Sequence, residues 1–240
     1  MRALGFNRGI GLVVAATLSA APAMAMTDSF WGIQFEELEY RFALDDTSDV
    51  IAAEVDAFYG TDELKARYTN KIEYETQENF LETFENQFLG QFPVSDFFDA
   101  KAGIRIDLPD GPNRYYGVLG IQGLAPQWFE VDLDLFVSTE GDVSIRLDSE
   151  YELLITNRLI LTPALEFDLP FTSDEAIGVG KWGPKLEIGL RLSYDLIDRS
   201  LAPYVGVYYQ GVFGNSADLA REEGEETSEV YFVVGMRLSF

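Results

Sequence analysis

Between Leu64 and Glu75 the chain alternates with a period of two. Leu64, Ala66, Tyr68, Ile72 and Tyr74 fall on one side, and Lys65, Arg67, Lys71, Glu73 and Glu75 on the other. The pattern returns from Lys185 to Leu196, where Leu186, Ile188, Leu190, Leu192, Tyr194 and Leu196 alternate with Glu187, Gly189, Arg191, Ser193 and Asp195. Successive side chains of a strand point to opposite faces, so such a segment is a strand with one apolar and one ionised side. A helix would scatter the same charges around its circumference. Extended along the chain, the alternation predicts twelve strands, near 33–44, 50–60, 64–76, 79–92, 97–108, 115–124, 128–138, 143–155, 159–169, 185–196, 203–213 and 229–240. Glu82 and Asn86 interrupt the aromatic face of the fourth. The sixth and eleventh, rich in glycine and tyrosine, leave their inward face open.

Connection lengths set the topology. The even-to-odd connections are short, at Gly60–Glu63, Pro93–Asp96, Ala125–Gln127, Thr156–Arg158 and Ile197–Ala202. Two odd-to-even connections, Phe171–Pro184 and Gly214–Ser228, are long and polar. Short turns on one rim, longer loops on the other and an even strand number are the habits of single-chain outer-membrane barrels. Aromatic residues collect near predicted strand ends (Phe92, Phe98, Trp128, Phe129, Tyr194, Tyr204, Phe240), as a girdle at lipid headgroups would require. No helix is predicted that could plug or cover the barrel. The alternative, a water-soluble barrel or sandwich, would turn the apolar faces inward. The charge at almost every step of the other face suits a wet lumen better. The expected fold is all-β, a transmembrane antiparallel up-and-down β-barrel of about twelve strands, with lipid and lipopolysaccharide around it.

The start of the chain reads differently. Arg2 and Arg8 precede a mostly apolar run, Gly9 to Ala21, which ends in Pro22 and the triplet Ala23-Met24-Ala25. That is the form of a cleaved secretory leader, and the run is too short to cross a membrane as a helix. The expected division is a signal peptide over 1–25, a short segment over 26–32 and an outer-membrane barrel over 33–240.

Charge and composition narrow the chemistry. Losing the leader removes two of the 17 basic residues and none of the 41 acidic ones, leaving 15 against 41 and a formal charge of −26. Such a chain lacks the basic face that nucleic acid requires and is suited to attracting cations. Cysteine and histidine are both absent. Thiolate and imidazole metal sites are thereby excluded, as are disulfides and histidine-dependent nucleophilic catalysis; no enzyme is expected.

On the inferred inward faces the acids are concentrated in 128–138, 143–155 and 159–169. These three strands carry Glu130, Asp132, Asp134, Asp148, Glu150, Glu152, Glu166 and Asp168 against one base, Arg146. The strands at 64–76 and 97–108 carry Lys65, Arg67, Lys71, Lys101 and Arg105. The expectation is an acidic wall facing a more basic one, in a lumen that favours cations. Those eight carboxylates are the candidate metal-binding residues. Lumen charges also pair with one another, so any single carboxylate has a plain structural reading as well.

Several stretches resemble the copper resistance protein B family of outer-membrane proteins: LEYRFALDD (38–46), the block from LGIQGLAPQWFEVD through LILTP (119–163), LEIGLRLSYDLIDRSLAPYVGV (186–207) and the terminal FVVGMRLSF. The resemblance implies an outer-membrane barrel that helps the cell tolerate copper by binding it or moving it across the envelope, with periplasmic copper-handling proteins among its partners. Members usually carry a segment rich in methionine and histidine ahead of the barrel. Here the mature chain holds only Met26 and Met236. What remains for copper is carboxylate, which suits harder ions. Two functions follow as expectations: a copper-homeostasis barrel acting through its acidic wall, or a general cation-preferring pore or structural barrel.

Overall fold

The computed structural model describes residues 29–44, 47–197 and 199–240. The expected leader lies outside these residues. The strands are β1 (Phe30–Ala43), β2 (Val50–Gly60), β3 (Lys65–Glu75), β4 (Phe80–Pro93), β5 (Phe98–Asp107), β6 (Arg114–Ala125), β7 (Phe129–Ser138), β8 (Val143–Glu150), β9 (Leu153–Leu154), β10 (Leu159–Pro170), β11 (Lys185–Tyr194), β12 (Leu201–Val212) and β13 (Ser228–Ser239). β8 and β9 both pair with β10 and are two lengths of one stave, interrupted at Tyr151 and Glu152. All pairings are antiparallel, each stave bonds to its sequence neighbours, and β1 pairs with β13 to close a ring of twelve. Closure leaves no strand edge for lipid to satisfy.

The orientation of the wall is the reverse of a water-soluble protein's. On β11, Ile188 and Leu190 are 43% and 40% exposed, whereas Glu187 and Arg191 are each 5% exposed. The exterior is therefore apolar and the ionised residues line the interior, as the alternation predicts. Phe92, Trp128, Phe129, Tyr194 and Phe240 are exposed at the strand ends of the short-turn rim. Tyr204 departs from the expected girdle: it faces inward, and its hydroxyl donates to Glu39 at 2.9 Å. The inward parity of β12 is Ala202, Tyr204, Tyr208, and on β6 it is Arg114, Val118, Gly120.

Two bulges break the simple alternation. Glu36 is an extra residue in β1, where the registers with β2 and β13 both slip. Ahead of it Ile33 and Phe35 face out; beyond it Leu38 and Tyr40 do. Glu36 and Glu37 consequently both line the lumen. In β4 the register slips by one at Glu82, between the Glu73–Thr83 and Tyr74–Leu81 pairs.

The long loops form the other rim. The loop from Phe171 to Pro184 contains a 3₁₀ turn (Glu175–Ile177), and the next contains a helix, α1 (Gly214–Glu223), where none was expected. It is one short polar stretch ending at Gly224, whose φ of 85° makes a left-handed cap. Its length and polarity give no apolar stripe for a periodicity search to find. Ser216 anchors it to the 171–184 loop, accepting from Gly180 N (3.0 Å) and donating to Gly183 O (2.7 Å). A Cβ on Gly183 would lie 2.2 Å from Ser216 N, so only glycine allows this approach. At the same rim Arg114 clasps Asp174 of the loop through two donors, at 2.5 and 2.8 Å. That hydrogen bonding holds the Asp174 carboxyl below the usual carboxylate range.

Two outcomes are expected. Leu190→Arg, near the middle of β11, should cost about 2–4 kcal/mol in reversible unfolding from lipid vesicles. A cost below about 0.5 kcal/mol would place Leu190 away from hydrocarbon. The clasp depresses the folded-state pKa of Asp174, so its contribution is complete above the unfolded value of about 3.9 and fades as pH falls through the lowered one. Protease protection of 171–184 should thus hold from pH 7 to about 5 and drop below about 4. Arg114→Gln should remove protection at neutral pH; full protection in that variant would rule the clasp out.

Candidate functional site

Strand register decides which lumen charges meet. One inward row, read across β5, β6, β7, β8, β10 and β11, is Lys101, Gly120, Asp134, Arg146, Asp168 and Lys185. Its charges alternate in sign. The next inward row toward the short-turn rim brings Asp132, Asp148, Glu166 and Glu187 directly opposite one another on four adjacent staves. This rung contains no base. Directly opposed like charges on a sheet destabilise it, by about 0.2–1 kcal/mol per pair.

Bases from elsewhere relieve part of the rung. Lys101 reaches down to Asp132 (2.5 Å) as well as Asp134 (2.9 Å). Arg146 pairs with Glu166 (3.3 Å) and Asp168 (3.0 Å), and Lys185 with Glu187 (2.8 Å). From β3 across the lumen, the Lys71 ammonium bridges Glu166 (2.9 Å) and Glu187 (3.0 Å). Asp148, at the centre, has no ion pair. In the row below, Glu130 faces Glu150; Glu150 and Glu152 share Arg237 (3.1 and 3.6 Å), and Glu130 has no cation. Among the described residues, Glu36, Glu54, Asp96, Glu130, Asp148 and Asp195 line the cavity without a salt bridge, Asp96 and Asp195 at its mouth.

Buried ion pairs cross the upper lumen. Arg41 donates to Glu39 (2.7 Å), Glu73 (2.7 Å) and Glu37 (3.1 Å), with its guanidinium 3.9 Å from the Tyr208 ring centre. Arg191 binds the same Glu39 and Glu37, at 3.0 and 2.5 Å. Glu85 joins Arg105 (2.7 Å) to Arg146 (3.1 Å). Phe136, Tyr231 and Val233 fill the space around this lattice and are at most 2% exposed. Removing one member of such a buried pair strands its partner's charge, typically at about 3–5 kcal/mol. Below the lattice lies a cavity of about 980 Å³ that reaches from Asp96, Asp195 and Phe240 at the short-turn rim up to Lys71, Arg41 and Tyr208. No residue of the two long loops lines it.

Seven of the eight predicted wall residues, Glu130, Asp132, Asp134, Asp148, Glu150, Glu152 and Glu166, line this cavity; Asp168 sits above it, held by Arg146. They form a string along the wall and not a compact chelate. Among the described residues, the one trio of carboxylates with oxygens mutually within 4.8 Å is Glu140, Asp142 and Asp174 at the long-loop rim. Arg114 already neutralises Asp174 there and lies 3.8 Å from Glu140. Sequence reading missed Glu36, Glu37, Glu85 and Lys185. The first pair had a visible signal: the apolar parity switches from Ile33 and Phe35 to Leu38 and Tyr40 across two adjacent glutamates. Oxygen is the sole donor on this wall, which suits hard or borderline cations held loosely.

Comparison with known proteins agrees with this architecture. The fold is shared with the KdgM porin (TM-score 0.52, 12% identity, covering 87% of this chain and 99% of that one) and with the NanC porin (0.52, 13%, with the same coverages). Both are outer-membrane-type barrels in shape, and their likeness extends to the fold alone. Among relatives in sequence, copper resistance protein B of Escherichia coli is 35% identical over 208 residues, 87% of this chain and 69% of the relative. A copper resistance protein B homolog of Pseudomonas syringae pv. tomato is 34% identical over 205 residues, 85% and 68%. With the family model for copper resistance protein B precursor (CopB) matching residues 29–240, the whole barrel, this outer-membrane chain belongs to the copper resistance protein B family.

Proposed function

We propose that the barrel serves copper resistance by holding copper(II) ions, loosely and reversibly, on the carboxylate wall of a vestibule that opens toward the periplasm. Family membership supports a role in copper resistance, and the residues suggest how this chain performs it. The observation that carries the reading is the rung Asp132–Asp148–Glu166–Glu187, four opposed carboxylates with no base in the row and an unpaired aspartate at the centre. Copper(II) entering by the short-turn rim would meet Glu130, then Asp148, with water completing its shell. Without imidazole or thiolate the affinity is low, which suits an ion that must be released to periplasmic copper-handling proteins.

Retention is favoured over free conduction because the cavity lining ends at Arg41, Lys71 and Tyr208, beneath the ion-pair lattice. Planar-bilayer recordings of the full barrel should therefore show no steady open-pore conductance. A stable open pore would favour the general cation channel instead.

The direct test is copper(II) titration of the refolded chain. Saturable binding is expected, weakened about tenfold or more by Asp148→Asn, the order expected for loss of one charge contact. The same substitution should raise stability in the absence of metal, by about 0.2–1 kcal/mol, because it removes like-charge opposition in the rung. No copper binding, together with unchanged copper tolerance on deleting the protein, would sink the proposal.

A further inference from the structure

Resting on the vestibule reading above, we infer that Lys71 is a built-in counter-cation: its ammonium holds the metal's place between Glu166 and Glu187 and yields it by swinging to Glu54. The register makes the swing local. Lys71 on β3 is directly opposite Glu54 on β2, at the spacing of an ordinary cross-strand ion pair. It turns away from that partner nonetheless, crosses the lumen and bridges two carboxylates of β10 and β11. Glu54 is left with no ion pair although a lysine is its ladder neighbour, and it lines the same cavity. A lysine ammonium is a compact point charge on a flexible four-carbon stem, so both positions are open to it without backbone movement.

A second observation, independent of the acidic residues' number, points to a missing cation at this end of the cavity. Among the described residues, Gln87 Oε1, Asp132 Oδ1 and Asp134 Oδ1 are buried side-chain oxygens without a hydrogen-bond partner. All three are acceptors, and all three residues line this one cavity. Buried polar atoms are ordinarily satisfied, so a wall with surplus acceptors and no donor to match calls for a positive charge. Lys71 supplies one for two of the four rung carboxylates. A divalent ion seated on Asp148 and Glu166 would supply more, and the displaced ammonium would find Glu54 waiting.

The arrangement makes metal occupancy a competition set by Lys71, so copper(II) titration of the full barrel and two variants tests it. Lys71→Leu should bind aqueous copper(II) about tenfold more tightly, since the internal competitor is gone. Glu54→Gln, which removes no existing ion pair and so leaves folding intact, should weaken binding roughly threefold or more, the coupling typical of contacting groups. In the Lys71→Leu background the Glu54 substitution should change nothing. Unaltered or weaker binding in Lys71→Leu, with the wild-type barrel still binding copper, overturns the inference and leaves the vestibule reading standing. Equal weakening by Glu54→Gln in both backgrounds makes Glu54 a direct ligand and also overturns it. Absence of binding in every form overturns both. Should Lys71→Leu not fold, Lys71→Gln, similar in length and uncharged, takes its place in the same comparison.

Discussion

Hydrocarbon offers the backbone no hydrogen bonds, and the rest of this molecule follows from that constraint. A strand edge left open in lipid would strand every N–H and C=O along it, so the wall must close, and here β1 closes on β13. Once the ring is shut, the two-residue period of a strand leaves each side chain one of two environments. Apolar side chains take the lipid side, and everything ionised is forced into a narrow interior. The charges of the lumen are a consequence of closure before they are anything functional. They must then be neutralised by each other, by water or by an ion.

The upper half of the lumen takes the first course. Arg41 and Arg191 share Glu37 and Glu39, and Arg105 and Arg146 share Glu85, so guanidinium groups and carboxylates from staves on several sides neutralise one another there. The lower half does not complete this pattern. Its rung of four carboxylates borrows cations from the row above and from Lys71 opposite, and Asp148 receives none. The contrast between a self-neutralising half and a cation-deficient half gives the barrel a direction: ion pairs cross it toward the long loops, and the cavity reaches the short-turn rim. Gly120 belongs to the same design, for a Cβ there would lie 1.9 Å from Asp134 Oδ1 and 2.8 Å from Lys101 Cε.

Much of this was legible in the sequence, because the barrel signal is repeated and cheap to read. Six alternating pairs in Lys185–Leu196 settle a face, and loop lengths settle which rim is which. The residues of the predicted acidic wall line the cavity, Asp168 excepted. What escaped depends on register and not on period. The bulge at Glu36 turns two adjacent glutamates inward, where strict alternation permits one. Tyr204 looked like a headgroup anchor by its place in the chain, and only the parity of β12 turns it to Glu39. The fourth strand, interrupted at Glu82, hid Glu85, which the lattice uses twice. Helix α1 is too short and polar to declare a periodicity. Pairings across the lumen, such as Lys71 to Glu187, join residues 116 positions apart and no local pattern encodes them.

The absence of native cysteine permits the most direct test of this account, side-directed thiol labelling of single-cysteine variants in the outer membrane. A charged maleimide too large for general porins is applied to intact cells, and again after lysis exposes the periplasmic face. Asp148→Cys should stay unlabelled from outside and react after lysis, while Leu190→Cys, facing lipid, should react in neither state. Labelling of the Asp148 position on intact cells, or ready labelling at Leu190, would contradict an acidic vestibule that is closed outward and surrounded by an apolar wall.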